Sequence, residues 1–272
     1  MARRLINRRP GRVGAVLLGA LPFVVLAAVY LSASRARLAA NPDDRLLPAP
    51  GQFLDAIVRM AFEPSRRTGE YLLWTDTLAS LERIGLGVSV AAVTALCIGI
   101  LTGLLPYARA GLSPVVKAFS LIPPLSVLPI LFITFGLGEA AKVMLIVFGI
   151  TPFMTRDLQQ RTLEIPEEQL IKAQTLGASS GQILLRVALP QILPRLIESV
   201  RLGLGPAWLF LIAAEAIAAE EGLGYRIFLL RRYLAMDVIL PYVAWITLIA
   251  FSADTLLRLL RRRAFPWTAA SA

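Results

Sequence analysis

Six runs of mostly apolar residues, at 13–31, 84–105, 114–135, 140–155, 200–219 and 238–260, constrain this chain more than any other feature. A helix needs about 20 such residues to cross a hydrocarbon core about 30 Å thick. Backbone in that core must satisfy its own hydrogen bonds, which leaves helices as the spanning form for runs of this length. The sequence therefore predicts an all-α membrane protein with about six transmembrane helices, the fourth of them short. Composition agrees, with 57% apolar and only 17% charged residues, against roughly 45–50% and 25% in soluble domains.

What is missing narrows the chemistry. There is no histidine, which removes imidazole metal sites, Ser-His-Asp triads and histidine proton relays. The lone Cys97 cannot form an internal disulfide or a thiolate cluster. No catalytic residue, metal site or cofactor is expected. An intramembrane enzyme would need a nucleophile with a base, or paired acids within the membrane, and neither is evident.

Charge sets the expected orientation. With the N-terminus in the cytoplasm, 17 of the 28 Lys and Arg fall in the inside segments 1–12, 106–117, 156–201 and 258–272. Seven of the others sit in the long 35–83 stretch, where the positive-inside rule carries less weight. Both termini are accordingly expected in the cytoplasm of a multi-pass protein. The net charge of +10 reads as a collar against lipid headgroups, with Arg261, Arg262 and Arg263 at its end, rather than a nucleic-acid surface. A signal peptide competes for 13–31, but the run exceeds the 7–15 apolar residues of a typical signal core, so an uncleaved helix is expected.

The chain divides into a basic segment with the first helix at 1–35, a periplasmic segment at 36–75 and a transmembrane domain at 76–267. Asn41-Pro42-Asp43 and Leu47-Pro48-Ala49-Pro50-Gly51 punctuate the second segment. Phe53, Ala56, Ile57, Met60 and Ala61 then recur at helical spacing, with Asp55 and Arg59 opposite. This predicts a short amphipathic helix, either at the membrane surface or packed under a loop. In the second span, Ala91, Ala95, Gly99 and Gly103 form one row of small residues suited to close helix packing. Pro114, Pro123, Pro124 and Pro129 must kink or break the third span, as a structural bend or as part of a transport path.

The segment 163–190 is too polar to cross, yet it carries ordered-helix signals. Pro166 suits a helix's first turn, and Glu164, Glu167 and Glu168 favour its positive end. Gly177 is a natural left-handed stop. Ser179 and Gln182 make a capping box for a second short helix, which Leu189-Pro190 is expected to end. A helix, a glycine turn and a helix on the cytoplasmic side would serve as a docking element or as a re-entrant or surface-packed connector.

These residues resemble a known family. Ala173-x-x-x-Gly177 followed by Val187-x-Leu189-Pro190 is similar to the "EAA" loop of the membrane-spanning subunits of bacterial ABC importers. The family has Glu-Ala at the positions of Ile171 and Lys172, and isoleucine at that of Val187. Leu176-Gly177-Ala178-Ser179, Arg201-Leu202-Gly203-Leu204-Gly205, Ala213-Ala214-Glu215, Gly222-Leu223-Gly224 and Pro123-Pro124-Leu125 resemble permeases for nitrate, alkanesulfonate and taurine. The resemblance implies a type I importer permease fold (MetI-like) in the bacterial inner membrane. It further implies pairing with a second permease copy, two cytoplasmic ABC ATPase subunits and a periplasmic substrate-binding protein. It places the ATPase-coupling loop at Ala173, Gly177, Ala178, Ser179, Leu189 and Pro190.

The chain lacks the G-x-x-x-x-G-K-[ST] phosphate loop, so ATP hydrolysis is expected in a separate polypeptide. Arg201, Gly205, Trp208, Ile212 and Glu215 share one face of the fifth span. Ser126, Trp208 and Glu215 are the candidates for the translocation path. An intramembrane acid is a functional candidate by default; the alternative is a structural carboxylate paired with an arginine such as Arg226. The predicted function is ATP-driven uptake of a small anion such as a sulfonate, taurine or nitrate. An ion-gradient-driven secondary transporter, or a permease for a non-anionic solute such as a pyrimidine vitamin precursor, are the alternatives. A secondary transporter should show matching broken helices in two halves, and the proline-rich third span has no such counterpart.

Overall fold

The computed structural model describes residues 10–42, 44–66 and 68–267. Arg3, Arg4, Arg8, Arg9 and Asp43 lie outside them. The described residues form eleven α-helices in order: α1 (Arg12–Ala40), α2 (Pro50–Phe62), α3 (Leu72–Leu104), α4 (Pro106–Ser120), α5 (Pro124–Phe135), α6 (Glu139–Leu163), α7 (Glu167–Thr175), α8 (Ser180–Ile183), α9 (Leu189–Ala218), α10 (Leu223–Arg231) and α11 (Met236–Ala264). Among the described residues there is no strand.

The core is the pair α3 and α6. Ideal Cβ atoms on Gly87, Gly99 and Gly103 would lie 2.8, 2.7 and 2.3 Å from the Cβ atoms of Ile146, Leu158 and Thr162. Contacts that advance together along both chains mean that the helices run parallel. The small-residue row, which also takes in Gly87, is therefore spent inside the chain, against α6. It does not offer a face to a second copy. On the other side of α6, Gly149 faces the Phe210 ring of α9 at 2.3 Å from its would-be Cβ. Leu145, Ile146, Ile150, Met154 and Leu158 are all at most 1% exposed between these neighbours.

Two parallel helices need a return between them. Gly103 meets Thr162 at one end of the pair, and Arg83 meets Glu139 at the other. The intervening α4 and α5 thus carry the chain back along the full length of α3. They do so broken, with a bend of 98°. Pro123 caps α5, Pro124 opens it, and Pro114 and Pro129 lie inside α4 and α5. Of the two expected outcomes, a kink or a break, the structure shows the break.

Four helices are individually long and apolar enough to cross a membrane: α1, α3, the continuous Ser180–Ala218 helix and α11. The broken pair makes a fifth. The expected sixth, α6, does not pass on apolarity, because Glu139, Lys142, Arg156, Asp157 and Arg161 lie along it. It runs 25 residues beside α3, so it covers the same depth while shielded by its neighbours.

Two other expectations change in detail. Leu189-Pro190 does not end the second short helix. A π-turn at Leu184–Ala188 leads straight into α9, with the Leu189 N–H bonded to the Leu184 carbonyl. The widened turn absorbs the proline's missing donor. The amphipathic helix forms as α2, with Ala56 and Ala61 buried and Trp74 Nε1 donating to the Ala61 carbonyl at 3.0 Å. Arg59 reaches Asp237 of α11 at 3.3 Å. In α1 only Ser34 is buried; it donates to the Leu47 carbonyl at 2.9 Å, and Tyr30 donates to Pro48 at 2.8 Å. Arg37 pairs with Asp44 beyond α1 and holds its carboxyl below the usual range.

Gly103→Val is expected to destabilise the bundle by about 1–3 kcal/mol through overpacking against Thr162. Gly85→Ala, where a Cβ meets open space, should be neutral or slightly stabilising. Equilibrium unfolding in mixed detergent micelles measures both; equal losses would contradict the assigned α3–α6 contact.

Candidate functional site

The loop at 163–190 is built from two local motifs back to back. Pro166 caps α7, and Glu167 and Glu168 occupy its first turn, where acids offset the helix's positive end. At the other end Gly177 takes φ +80°. Its N–H bonds the Gln174 carbonyl at 2.9 Å, and the Ala178 N–H bonds the Ala173 carbonyl at 3.0 Å. That pair of bonds is a Schellman motif, which needs a left-handed residue at the position of Gly177. Ala173 and Ala178 are thus the two backbone partners that close the turn.

One residue later the capping box forms as expected. Ser179 Oγ accepts the Gln182 N–H at 3.3 Å, and the Ser179 N–H donates to Gln182 Oε1 at 2.8 Å. Gln191 of α9 donates to Gln169 of α7 at 3.1 Å and ties the loop to the bundle. No residue of α7 is buried, and Leu176 at the turn is 89% exposed. The result is a capped helix–turn–helix with an uncovered apolar residue, Leu176, at its turn.

The opposite end of the bundle holds a buried polar network. Glu215 of α9 is fully buried and accepts from Arg83 Nη1, Ser80 Oγ and the Gly224 N–H, each at 2.8 Å. Arg83 also donates to Glu139 at 2.9 Å and to the Glu221 carbonyl at 2.8 Å. Asp76 takes the Gly222 N–H at 2.9 Å, Arg226 at 2.7 Å and Tyr242 at 3.1 Å. The partner of Glu215 is therefore Arg83; Arg226 belongs to Asp76. Gly222, at φ +125°, brings the chain so close that an added Cβ would lie 2.6 Å from the Glu215 carboxyl. Asp76, Ser80 and Arg83 share one face of α3, but lie N-terminal to the apolar run that marked the span.

Trp208 is also buried in the core, while Ser126 is exposed on α5 and donates to the Pro123 carbonyl at 2.7 Å. The three path candidates are not gathered into one site within the chain. Arg201, on the Glu215 face of α9, pairs with Asp254 of α11 at 2.8 Å, and Asp254 also meets Arg258 at 2.7 Å. Where α4 breaks from α5, an open cleft of about 840 Å³ lies against α6, walled by Phe119, Ser120, Phe148, Phe153, Arg156 and Gln160 among others.

The described residues form an all-helical bundle with apolar spans, one of them broken, and a capped loop at one end. The chain belongs to the family described as the binding-protein-dependent transport system inner membrane component, whose profile matches residues 95–266. Among curated relatives it is 37% identical over 221 residues to the Escherichia coli (strain K12) taurine transport system permease protein TauC, covering 81% of this chain and 80% of that one. It is 28% identical over 229 residues to the Bacillus subtilis putative aliphatic sulfonates transport permease protein SsuC, covering 82% and 78%. A Synechococcus elongatus bicarbonate transport system permease protein, CmpB, is 31% identical over 156 residues, covering 57% and 55%.

Solved structures agree on the fold. The inward-facing MetNI methionine ABC transporter superposes with TM-score 0.52 at 22% identity, covering 69% of this chain and 93% of that one. An amino acid ABC transporter crystallised with histidines gives TM-score 0.56 at 16% identity, covering 70% and 93%. The chain is thus an ABC transporter permease close to the taurine and sulfonate permeases, with a MetI-like fold. Permeases of this family work with an ATPase and a substrate-binding protein.

Proposed function

We propose that this chain forms the membrane path of an ATP-driven importer for a small sulfonate-type anion, with ATP hydrolysed by separate subunits docked on the 163–190 loop. The observation that carries this is the loop itself: two capped helices set at a fixed angle by Gly177, projecting from the bundle with Leu176 uncovered. Ordering a polar connector this thoroughly serves a partner that must push on it. Hydrolysis by that partner is in keeping with a sequence that carries no G-x-x-x-x-G-K-[ST] phosphate loop. The solutes in the relatives' names, taurine, aliphatic sulfonates and bicarbonate, each carry an anionic oxygen group, which supports a small solute of that kind as cargo.

In this reading both termini and the loop are cytoplasmic, and a periplasmic binding protein delivers substrate at the Glu215 end. Two copies of the chain, each with its own ATPase, enclose the path, because the cleft beside α6 is open on one side and needs a second wall. Ser126 on α5 borders that path, while Glu215 and Trp208 hold α9 beside it.

Orientation and docking are tested together with Ser180→Cys in a Cys97→Ser background. A membrane-impermeant thiol reagent should label Ser180→Cys only in inside-out vesicles, and addition of the ATPase subunit should protect it. Labelling from the periplasmic side, or labelling indifferent to the ATPase, would contradict the reading.

A further inference from the structure

We propose that Arg156 is the anion-recognising residue of a substrate site in the cleft between α4, α5 and α6. The proposal rests on the anion-import reading and gives it an atomic contact.

Arg156 is exposed on α6 at the cleft and differs from the arginines that hold carboxylates. Arg83, Arg201 and Arg258 each meet a carboxylate. Among the described residues Arg156 meets a hydroxyl, Ser120 Oγ at 3.2 Å, and no carboxylate. The adjacent acid in the same wall, Asp157, is taken by Arg161 at 3.6 Å, and Arg161 is shared with Glu164 at 3.2 Å. Arg156 lies seven residues before the end of α6, about 10 Å of helix, and its exposed guanidinium lines the cleft, where an anion would supply the charged partner it lacks.

The rest of the wall suits a small anion. Phe119, Phe148, Phe153 and Phe210 line the cleft, and aromatic walls lower the local dielectric and strengthen the field of one cation. Its volume of about 840 Å³ falls in the range of small-molecule sites. The planar guanidinium fork matches the paired oxygens of a sulfonate or bicarbonate, and Gln160 stands one turn away on α6 with an amide for the remaining oxygen. The cleft opens where α4 breaks from α5, so the break supplies the opening as well as the return of the chain.

The test uses the full-length chain in membranes, with Ser120→Cys as a reporter in the Cys97→Ser background. Modification rates are compared for an anionic sulfonatoethyl and a cationic trimethylammonioethyl methanethiosulfonate, each normalised to its rate with free cysteine. With Arg156 present the anionic reagent should be favoured by about fivefold or more. The preference should vanish in Arg156→Gln and return in Arg156→Lys. Charge-blind labelling, or a preference that survives Arg156→Gln, would overturn the proposal.

A second arm measures taurine uptake by the reconstituted complex. Arg156→Gln should slow it by about tenfold, the loss of one charge-assisted hydrogen bond, while assembly of the complex and chain level stay unchanged. Uptake by Arg156→Gln at the wild-type rate overturns the site and leaves the import reading standing. Anion-selective labelling in a complex that imports neither taurine nor ethanesulfonate does the reverse.

Discussion

Arg83→Met is expected to destabilise the protein by about 3–5 kcal/mol, because it strands a buried carboxylate without its cation. Arg83 binds Glu215, Glu139 and the Glu221 carbonyl at once, so it joins α3, α6, α9 and the turn before α10 at one point. Glu139 keeps Lys142 as a partner at 2.7 Å. Glu215, fully buried, keeps only Ser80 and one backbone N–H. The double variant Arg83→Met with Glu215→Gln removes the stranded charge and should lose less stability than Arg83→Met alone. Unfolding in mixed micelles distinguishes this from simple packing loss, in which the two substitutions would add.

Gly177→Val is expected to leave the bundle folded and inserted while abolishing coupled uptake. At φ +80° a β-branched residue is a steric outlier, with a penalty of roughly 1–2 kcal/mol or more. Relieving it would break the Schellman bonds to Gln174 and Ala173 and swing α8 relative to α7. A Cβ at Gly177 meets nothing within 4 Å, so the effect is one of backbone angle; no neighbour in the chain is struck. Gly177→Asn, which tolerates the left-handed region, should therefore retain most activity. ATPase co-purification and uptake check both variants. Normal coupling with valine would remove the loop's angle from the mechanism.

Local motifs in this protein were legible in the sequence, and long-range partners were not. The glycine stop, the Ser179–Gln182 box, α2 and the broken third span each depend on a few neighbouring residues, and each is present in the structure. The start of α3 was hidden because Asp76, Glu82 and Arg83 dilute its apolar run. Two of those charges are buried beside opposite charges 56 to 150 residues away. The same dilution shortened α6. Pro190 read as a terminator because the π-turn that accommodates it has no sequence signal of its own. The small-residue row announced close packing correctly, but the row itself does not specify that α6 fills it. Arg156 went unremarked because an arginine before an inside loop looks like ordinary positive-inside charge until its lack of a carboxylate is seen.

Uptake of labelled taurine or ethanesulfonate into proteoliposomes, with the permease, its ATPase and its binding protein present and omitted in turn, tests the central claim most directly. The account predicts accumulation that requires ATP on the loop side and all three components, and that fails with Gly177→Val. Accumulation by the permease alone under an ion gradient, without ATP or ATPase, would contradict it.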